Sequence, residues 1–538
     1  MFLTTNPQQE QLLCNFHPCV EQLFHYQCGE ESHLHIKMHL DFGDNQSSSS
    51  FEIPVSKLES IDWLSKDIRC RFNPDVSKAL VKRSFADNIR KQLPDIPSID
   101  ICQLERLGVE KIGGEVVFCA GDKVIRASSD STFSPQIESL VKDFRLDVDP
   151  RLSEDEAIYE MFDLIALSPN PMRVILSQVL VYLMRQAYVD AGKEPRVCLF
   201  LYGRTGTQKT TIASFLTQIY NRSSEIISPQ RLNASIPAAV KIILDACDEV
   251  IVLDDLFPAD HHSVRSQQEE TLIEVTRYIG DGTVPARIKG KEVTKKTPRC
   301  GVLFTGEYLI GTGSDAARLF PVEMQQPDGT KLQYFQGRPL VISTFYYFYI
   351  SWFISHYDEI TRFLKEWLDY YRTIDLGVHS RLQETHFFLN TAFILLLTYC
   401  QEQHVLSKED ATRLEKAFSK LLLTLVRQQD QRVKQNTQKG EDHPDYIARI
   451  RLLYQRNIFQ IASRVDDFQQ HQHDGIFYRK RLYLRRECLK RYFPNENIDH
   501  IVEQLADQGV LETGKESRTK QISRLKGLRF YVLRMDYL

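Results

Sequence analysis

No apolar run in this chain is long enough to cross a bilayer. The longest, Phe387 to Cys400, is interrupted by Asn390 and Thr391 and falls short of the roughly 20 residues a spanning helix needs, so it reads as a buried helix. The amino-terminal MFLTTNPQQEQLL has neither the basic nor the apolar region of a secretory leader, and a cytoplasmic protein without membrane contact is expected. Charge of one sign is not in excess either: 67 Lys+Arg face 71 Asp+Glu, and 42% of residues are hydrophobic, which excludes a disordered or fibrous chain. At 538 residues, about three or four domains are expected, each able to bury a core without staples.

Paired cysteines are missing too. The 11 cysteines are scattered, and Cys198, Cys300 and Cys400 sit in apolar runs, as reduced thiols do. Cys14, His17, Cys19, His25 and Cys28 have the ligand types of a zinc site, but their separations do not give a CxxC framework.

What is present begins with alternation. Leu34, Ile36, Met38, Leu40 and Phe42 fall on one face of a predicted strand, and His33, His35, Lys37, His39 and Asp41 on the other, read as solvated. With FEIPV and the short apolar runs near 101–126, this indicates a β-containing N-terminal domain over 1–150. A helix is expected after Pro171, carrying Val174, Ile175, Leu176, Val179, Leu180, Leu183 and Met184 as an apolar stripe. Three apolar runs follow, Val197–Tyr202, Val250–Leu253 and Gly301–Phe304, separated by helical patterns. That order predicts a parallel α/β core over 151–340. The aromatic-rich 341–445 is read as a helical region whose rings form a core or an inter-subunit contact rather than a ligand cage or base-stacking surface, ending in a polar linker near 428–445.

The final segment, 474–538, carries 14 Lys+Arg and 9 Asp+Glu and so suits an anionic partner. Its order is strand-like FYRKRLYL, helix, helix, VLET, a basic tip and the strand-like LRFYVLRMDYL. This predicts a winged helix within 446–538, with Lys515, Arg518 and Lys520 on duplex phosphates; an ordinary solvated adaptor is the alternative.

The most informative run is VCLFLYGRTGTQKTTIASFLTQIY: strand, glycine-rich turn, Lys209-Thr210, then helix. Gly203 and Gly206 let successive N–H groups turn inward toward phosphate, and the new helix adds its positive end. Gly203, Gly206, Thr207, Gln208, Lys209, Thr210 and Thr211 are expected to line ATP, with Lys209 on the β- and γ-phosphates and Thr210 on Mg2+. Gln208 stands where the usual motif has glycine. About forty-five residues on, CDEVIVLDDLFP ends an apolar strand in two carboxylates; Asp254 is assigned to the metal and Asp255 to the attacking water.

The strand GVLFTGEYL ends in Thr305, placed between the other two strands and within reach of the γ-phosphate or the water. Arg318, in GSDAARLFPVEM, either approaches the γ-phosphate from a neighbouring subunit or forms a surface salt bridge. The stretch GDGTVPARIKGKEVTKKTPR reads as a basic hairpin whose Arg287, Lys289 and Lys291 track a phosphate backbone, or as a plain basic loop.

Together, GRTGTQKTT, NASIPAAVKIILDACDEVIVLDDLFP, the basic hairpin and VLFTGE resemble the AAA+ ATPase module of the primase-helicase-associated family of phages, plasmids and integrative elements. Some members of that family are similar to minichromosome-maintenance helicases. The resemblance covers roughly 150–330. It implies a P-loop NTPase fold, a hexameric ring hydrolysing ATP between subunits, single-stranded DNA in the pore, a sensor at Thr305 and a trans-acting Arg318. Replication accessory proteins are possible partners. In that family the residue before the lysine is often not glycine, and paired aspartates are usual. No zinc-ribbon or relaxase histidine pattern is present, so primer synthesis is not expected. The expected activity is that of a DNA helicase or replication initiator. A nucleotide-switched DNA-binding regulator and a defence-type NTPase are the alternatives.

Overall fold

The computed structural model describes residues 13–29, 31–43, 46–60, 69–127, 136–222, 230–232, 235–257, 262–284, 287–289, 292–294, 297–310, 313–442, 446–494, 496–512, 518–525 and 527–535. The chain forms two compact units, Met1–Val433 and Lys434–Leu538. The expected boundaries at 150 and 340 both fall inside the first.

At the centre of the first unit lies a five-stranded sheet. In spatial order its strands are Gln230–Arg231, Cys247–Leu256, Arg299–Gly306, Cys198–Tyr202 and Leu319–Glu323, and every neighbouring pair is parallel. Strands covered on both faces read as unbroken apolar runs. Alternate residues then enter two different cores. Leu199, Leu201, Val250, Val252 and Leu303 join a core with the helix Pro169–Leu183. Cys198, Phe200, Ile251, Leu253, Val302 and Phe304 join a second core with residues of the helices Ile236–Asp245 and His262–Asp281. Each such fully buried side chain contributes roughly 1.5–3 kcal/mol.

The helix Pro169–Leu183 shows more than the expected stripe, because from Met172 to Leu183 nearly every residue is buried, Ser177 and Gln178 included. Gln178 Nε2 meets its buried obligation by donating to Val197 O at 3.1 Å and Val302 O at 2.9 Å, which ties the helix to two strands. A Cβ on Gly301 would lie 2.3 Å from the Tyr182 ring, so glycine is what lets this helix approach the sheet.

The long helices beyond 340 share the first core. Leu340–Ser355 packs on Glu154–Ile165, and Ser380–Glu402 on Pro169–Leu183. Phe345, Tyr346, Tyr349, Phe353 and Tyr399 are buried there, as the aromatic pattern predicts. Among the described residues no helix is long and apolar enough to cross a membrane. The linker expected at 428–445 is corrected: the helix Lys408–Asp442 runs through most of it. Gln, Arg and Lys are good helix formers, and from Gln428 to Lys439 the polar run has no Gly or Pro, the residues that mark turns. Gln429 and Asp430 are buried; Gln429 Nε2 donates to Ala316 O (2.7 Å) and Leu319 O (3.1 Å), and Asp430 accepts from His379 N (2.8 Å).

The amino-terminal sheet runs in the order Gln46–Ser47, Glu31–Gly43, His17–Cys28, Ser98–Leu104, Gln136–Ser139, with Phe51–Pro54 also paired to Glu31–Gly43. Ile36, Met38 and Leu40 enter its own core, while Leu34 is exposed. On the other face, His35 meets Glu52 at 2.7 Å and His39 meets Glu21 at 2.8 Å, so the histidines answer carboxylates across the sheet. Among the described residues no group of three or more His, Cys, Asp or Glu is placed to hold a metal, and Cys14 Sγ instead donates to Phe16 O. A smaller sheet, Gly108–Ile112, Glu115–Cys119 and Val124–Arg126, sends Val109, Phe118 and Ile125 into the first core.

The second unit, taken by itself, has a sheet in the order Ile461–Ala462, Gly475–Tyr478, Arg481–Leu484, Tyr531–Arg534. The helices Arg486–Tyr492 and Ile498–Asp507 contribute Leu489, Ile501, Val502 and Leu505 to a core with Leu482, Leu484 and Leu533. FYRKRLYL, expected as one strand, is corrected to a hairpin turning at Arg479 (φ 49°) and Lys480 (φ 59°). Such a two-residue turn normally announces itself by Asn-Gly, and that signal is absent here.

Candidate functional site

The carboxyl ends of three parallel strands bring the site together. The loop after Cys198–Tyr202 turns into the helix Lys209–Thr217. Gly206 takes φ 87°, and Gln208 takes φ 60°, the left-handed conformation for which glycine is the usual residue. Glutamine there costs on the order of 1 kcal/mol, a strain the site carries at its own loop.

Lys209 Nζ folds back onto the loop, donating to Gly203 O at 2.9 Å and Arg204 O at 3.0 Å. Burial pushes its amine down from the ordinary lysine range, against the opposing pull of Glu307, Asp254 and Asp255. Thr210 Oγ1 donates to Asp254 Oδ1 at 2.7 Å, and the Thr305 hydroxyl donates to the same oxygen. Thr305 Oγ1 also accepts from Asp255 N at 3.3 Å. The strand order therefore sets Thr305 between the loop strand and the acidic strand, as predicted, and its hydroxyl touches both acid positions. Asp255 is exposed at φ 78°, and Gln268 Nε2 holds its carbonyl at 3.0 Å. Within the loop, Thr207 Oγ1 donates to Arg204 O (2.8 Å) and Thr211 Oγ1 to Gln208 Oε1 (3.1 Å).

The donor set fits Mg2+ and a phosphate chain. Thr210 and Asp254 offer hard oxygen ligands from two elements, Lys209 stands beside them, and the helix start supplies oriented N–H groups. Among the described residues no Lys or Arg lies within ion-pair distance of Asp254.

Two participants were not singled out from sequence. Glu307, two residues beyond Thr305, accepts from Thr205 Oγ1 at 2.5 Å and donates its N–H to Leu256 O at 2.9 Å, which sets a third carboxylate across the loop. An acid just past a strand's carboxyl end was the available signal. Gln268, on the helix His262–Asp281, carries no comparable signal.

Arg318 lies away from these groups, against its own chain. Its guanidinium meets Asp281 at 3.0 Å and Ser314 O at 2.8 Å, and the side chain is 13% exposed. Arg381 binds the same Asp281 oxygen at 2.9 Å. Burial raises the Asp281 carboxyl, but Arg381 and Arg318 outweigh this and hold it below the usual range. The basic hairpin exists as Arg287–Lys289 paired antiparallel to Glu292–Thr294, Lys289 opposite Glu292. The side chains of Arg287 and Lys289, and all of Lys291 and Lys515, lie outside the described residues. Arg518 meets Glu503 at 3.5 Å and Lys520 meets Glu512 at 2.8 Å.

No protein-family model and no curated protein matches the chain. Among solved structures, "SCCmec type IV Cch - active helicase" is similar at 13% identity and TM-score 0.49, over 98% of this chain and 94% of that one. The apo A form of the NrS-1 C-terminal region follows at 10% and 0.27, over 75% and 88%. A JCV helicase bound to a thiazolopyridine acetamide stands at 16% and 0.22, over 45% and 73%.

Proposed function

We propose that this chain is a Mg2+-dependent ATPase that drives DNA unwinding, a helicase or replication initiator of a mobile genetic element working as a hexameric ring. One observation carries the reading: the hydroxyls of Thr210 and Thr305 converge on a single carboxylate oxygen of Asp254 beside Lys209, at the carboxyl edge of a parallel sheet. Ligands of open α/β sheets bind at that edge.

In this reading Lys209 leaves Gly203 O and Arg204 O to neutralise the β- and γ-phosphates, while Thr210 and Asp254 hold Mg2+. The metal, when bound, offsets charge building on the phosphate oxygens. Thr305 orients the water or the γ-phosphate from between the strands, and Asp255, exposed at the acidic strand's end, takes the water's proton. Glu307 yields its place at Thr205 to the incoming phosphate. Arg318 acts in trans once released from Asp281. The hairpin with Arg287, Lys289 and Lys291 grips a threaded single strand, and the second unit, as a winged helix bearing Lys515, Arg518 and Lys520, meets duplex.

The internal pairing of Arg318 with Asp281 supports a second reading, a nucleotide-switched DNA-binding regulator that does not turn over processively. Fork unwinding separates the two. Wild-type protein with ATP should open a forked duplex, and Lys289→Ala with Lys291→Ala should abolish opening while sparing DNA-free ATPase. Unwinding at the normal rate by that double variant would leave only the switch.

A further inference from the structure

The second unit carries a surface row that the expected wing does not include. Tyr478 lies opposite Arg481, and Arg481 lies opposite Arg534, so one tyrosine and two arginines share a face across three adjacent strands. Like charges directly opposite one another cost stability. Glu512 partly offsets this by accepting from Arg481 and from Lys520, and those two cations, Arg481 first, hold its carboxyl down at about 2. Beyond the row, the turn adds Arg479 and Lys480, both exposed. The Arg479 guanidinium sits 5.2 Å from the Tyr478 ring centroid. Among the described residues no acid lies within ion-pair distance of Arg479, Lys480 or Arg534.

Folding alone does not favour this arrangement. Both turn residues are left-handed, where non-glycine residues cost on the order of 1 kcal/mol each and Asn-Gly would serve better. The sequence instead places two cations at the tip and two arginines behind them, with Glu512 bonded to Arg481. Other cations of this unit meet acids of their own: Arg486 meets Asp499, Arg491 meets Asp474 and Arg518 meets Glu503. A protein partner would need apolar contact area at its centre. This row offers forked donors and one ring, the chemistry of phosphate recognition.

We propose that the Tyr478–Arg481–Arg534 row and the Arg479–Lys480 turn form a contact surface for the phosphate backbone of duplex DNA. The proposal rests on the reading that the chain binds DNA and assigns the contact to this edge of the sheet.

The test uses the full chain, a fluorescent duplex and a salt series read by anisotropy. Arg479→Gly with Lys480→Gly removes two charges while supplying the residue both backbone positions prefer, so the variant folds. It should weaken binding and lower the slope of log affinity against log salt by about two, since each phosphate contact contributes roughly 0.9. Arg534→Ala should lower the slope by about one, and Glu512→Gln should tighten binding. Arg518→Ala should do less than either basic variant. If wild type binds duplex and neither basic variant moves the slope, the surface is wrong and the DNA reading stands. If wild type binds no DNA at any salt, the DNA reading itself fails. Competition by polyglutamate as effective as that by duplex at equal charge would overturn the assignment in favour of an acidic protein.

Discussion

Asp248 and Asp254 stand near opposite ends of one strand, and the fold treats them in opposite ways. Asp248 is fully buried, with Arg299 at 3.0 Å and Arg185 at 3.6 Å. A Cβ on Gly108 would fall 2.0 Å from its carboxylate, so the small sheet closes directly over it. Burial pushes its carboxyl up, against the opposing pull of Arg299 and Arg185. Asp254 is only half-buried, and its described hydrogen-bond partners are the hydroxyls of Thr210 and Thr305. An acid given internal cations serves the fold, because removing one member of such a buried group typically costs 3–5 kcal/mol. In the proposed function, the acid bonded to hydroxyls is the one that meets a cation arriving with substrate. The same strand thus has a structural end and, in the proposed function, a chemical end.

The comparison is sharpened most by the site variants. Lys209→Ala should lower ATP turnover by roughly a hundredfold or more, as loss of a main transition-state donor does, with no change in melting temperature. Asp254→Asn should do the same to turnover, whereas Asp248→Asn should unfold the protein at lower temperature by about 3–5 kcal/mol of stability and leave the ATPase of the folded fraction in place. Exchange of those outcomes between the two aspartates, read by calorimetry beside phosphate release, would break the distinction. Mixing Arg318→Ala with Lys209→Ala chains should restore part of the lost turnover, because one interface in the mixture then pairs an intact loop with an intact arginine. Glu307→Gln should tighten ATP binding severalfold by removing a negative charge the phosphates must displace; weaker binding in a titration would mean that Glu307 instead supports the loop. The smallest effect is expected of Gln208→Gly, where relief at φ 60° is offset by the unfolded-state freedom of glycine, a net change under about 1 kcal/mol with turnover kept.

The chemical end was far more legible in the sequence than the structural one. Loop, acidic strand and Thr305 stand out because the phosphate chemistry proposed for them demands particular residues at strand ends, and the three apolar runs predict the buried strands directly. Asp248 carries no such mark: its partners Arg185 and Arg299 lie 63 and 51 residues away, and only folding shows that they meet. The helix through 428–442 was hidden by polarity, since Gln429 and Asp430 are buried by what they bond to rather than by hydropathy. The Arg479–Lys480 turn was hidden because its backbone conformation is one its residues do not advertise.

The most direct test of the account is ATP binding with Mg2+ and with chelator, measured on wild type and on Asp254→Asn. The account predicts that Mg2+ tightens binding to wild type and that the asparagine variant loses this dependence while keeping its affinity in chelator. Full Mg2+ dependence in the variant, or no ATP binding by wild type, would contradict it.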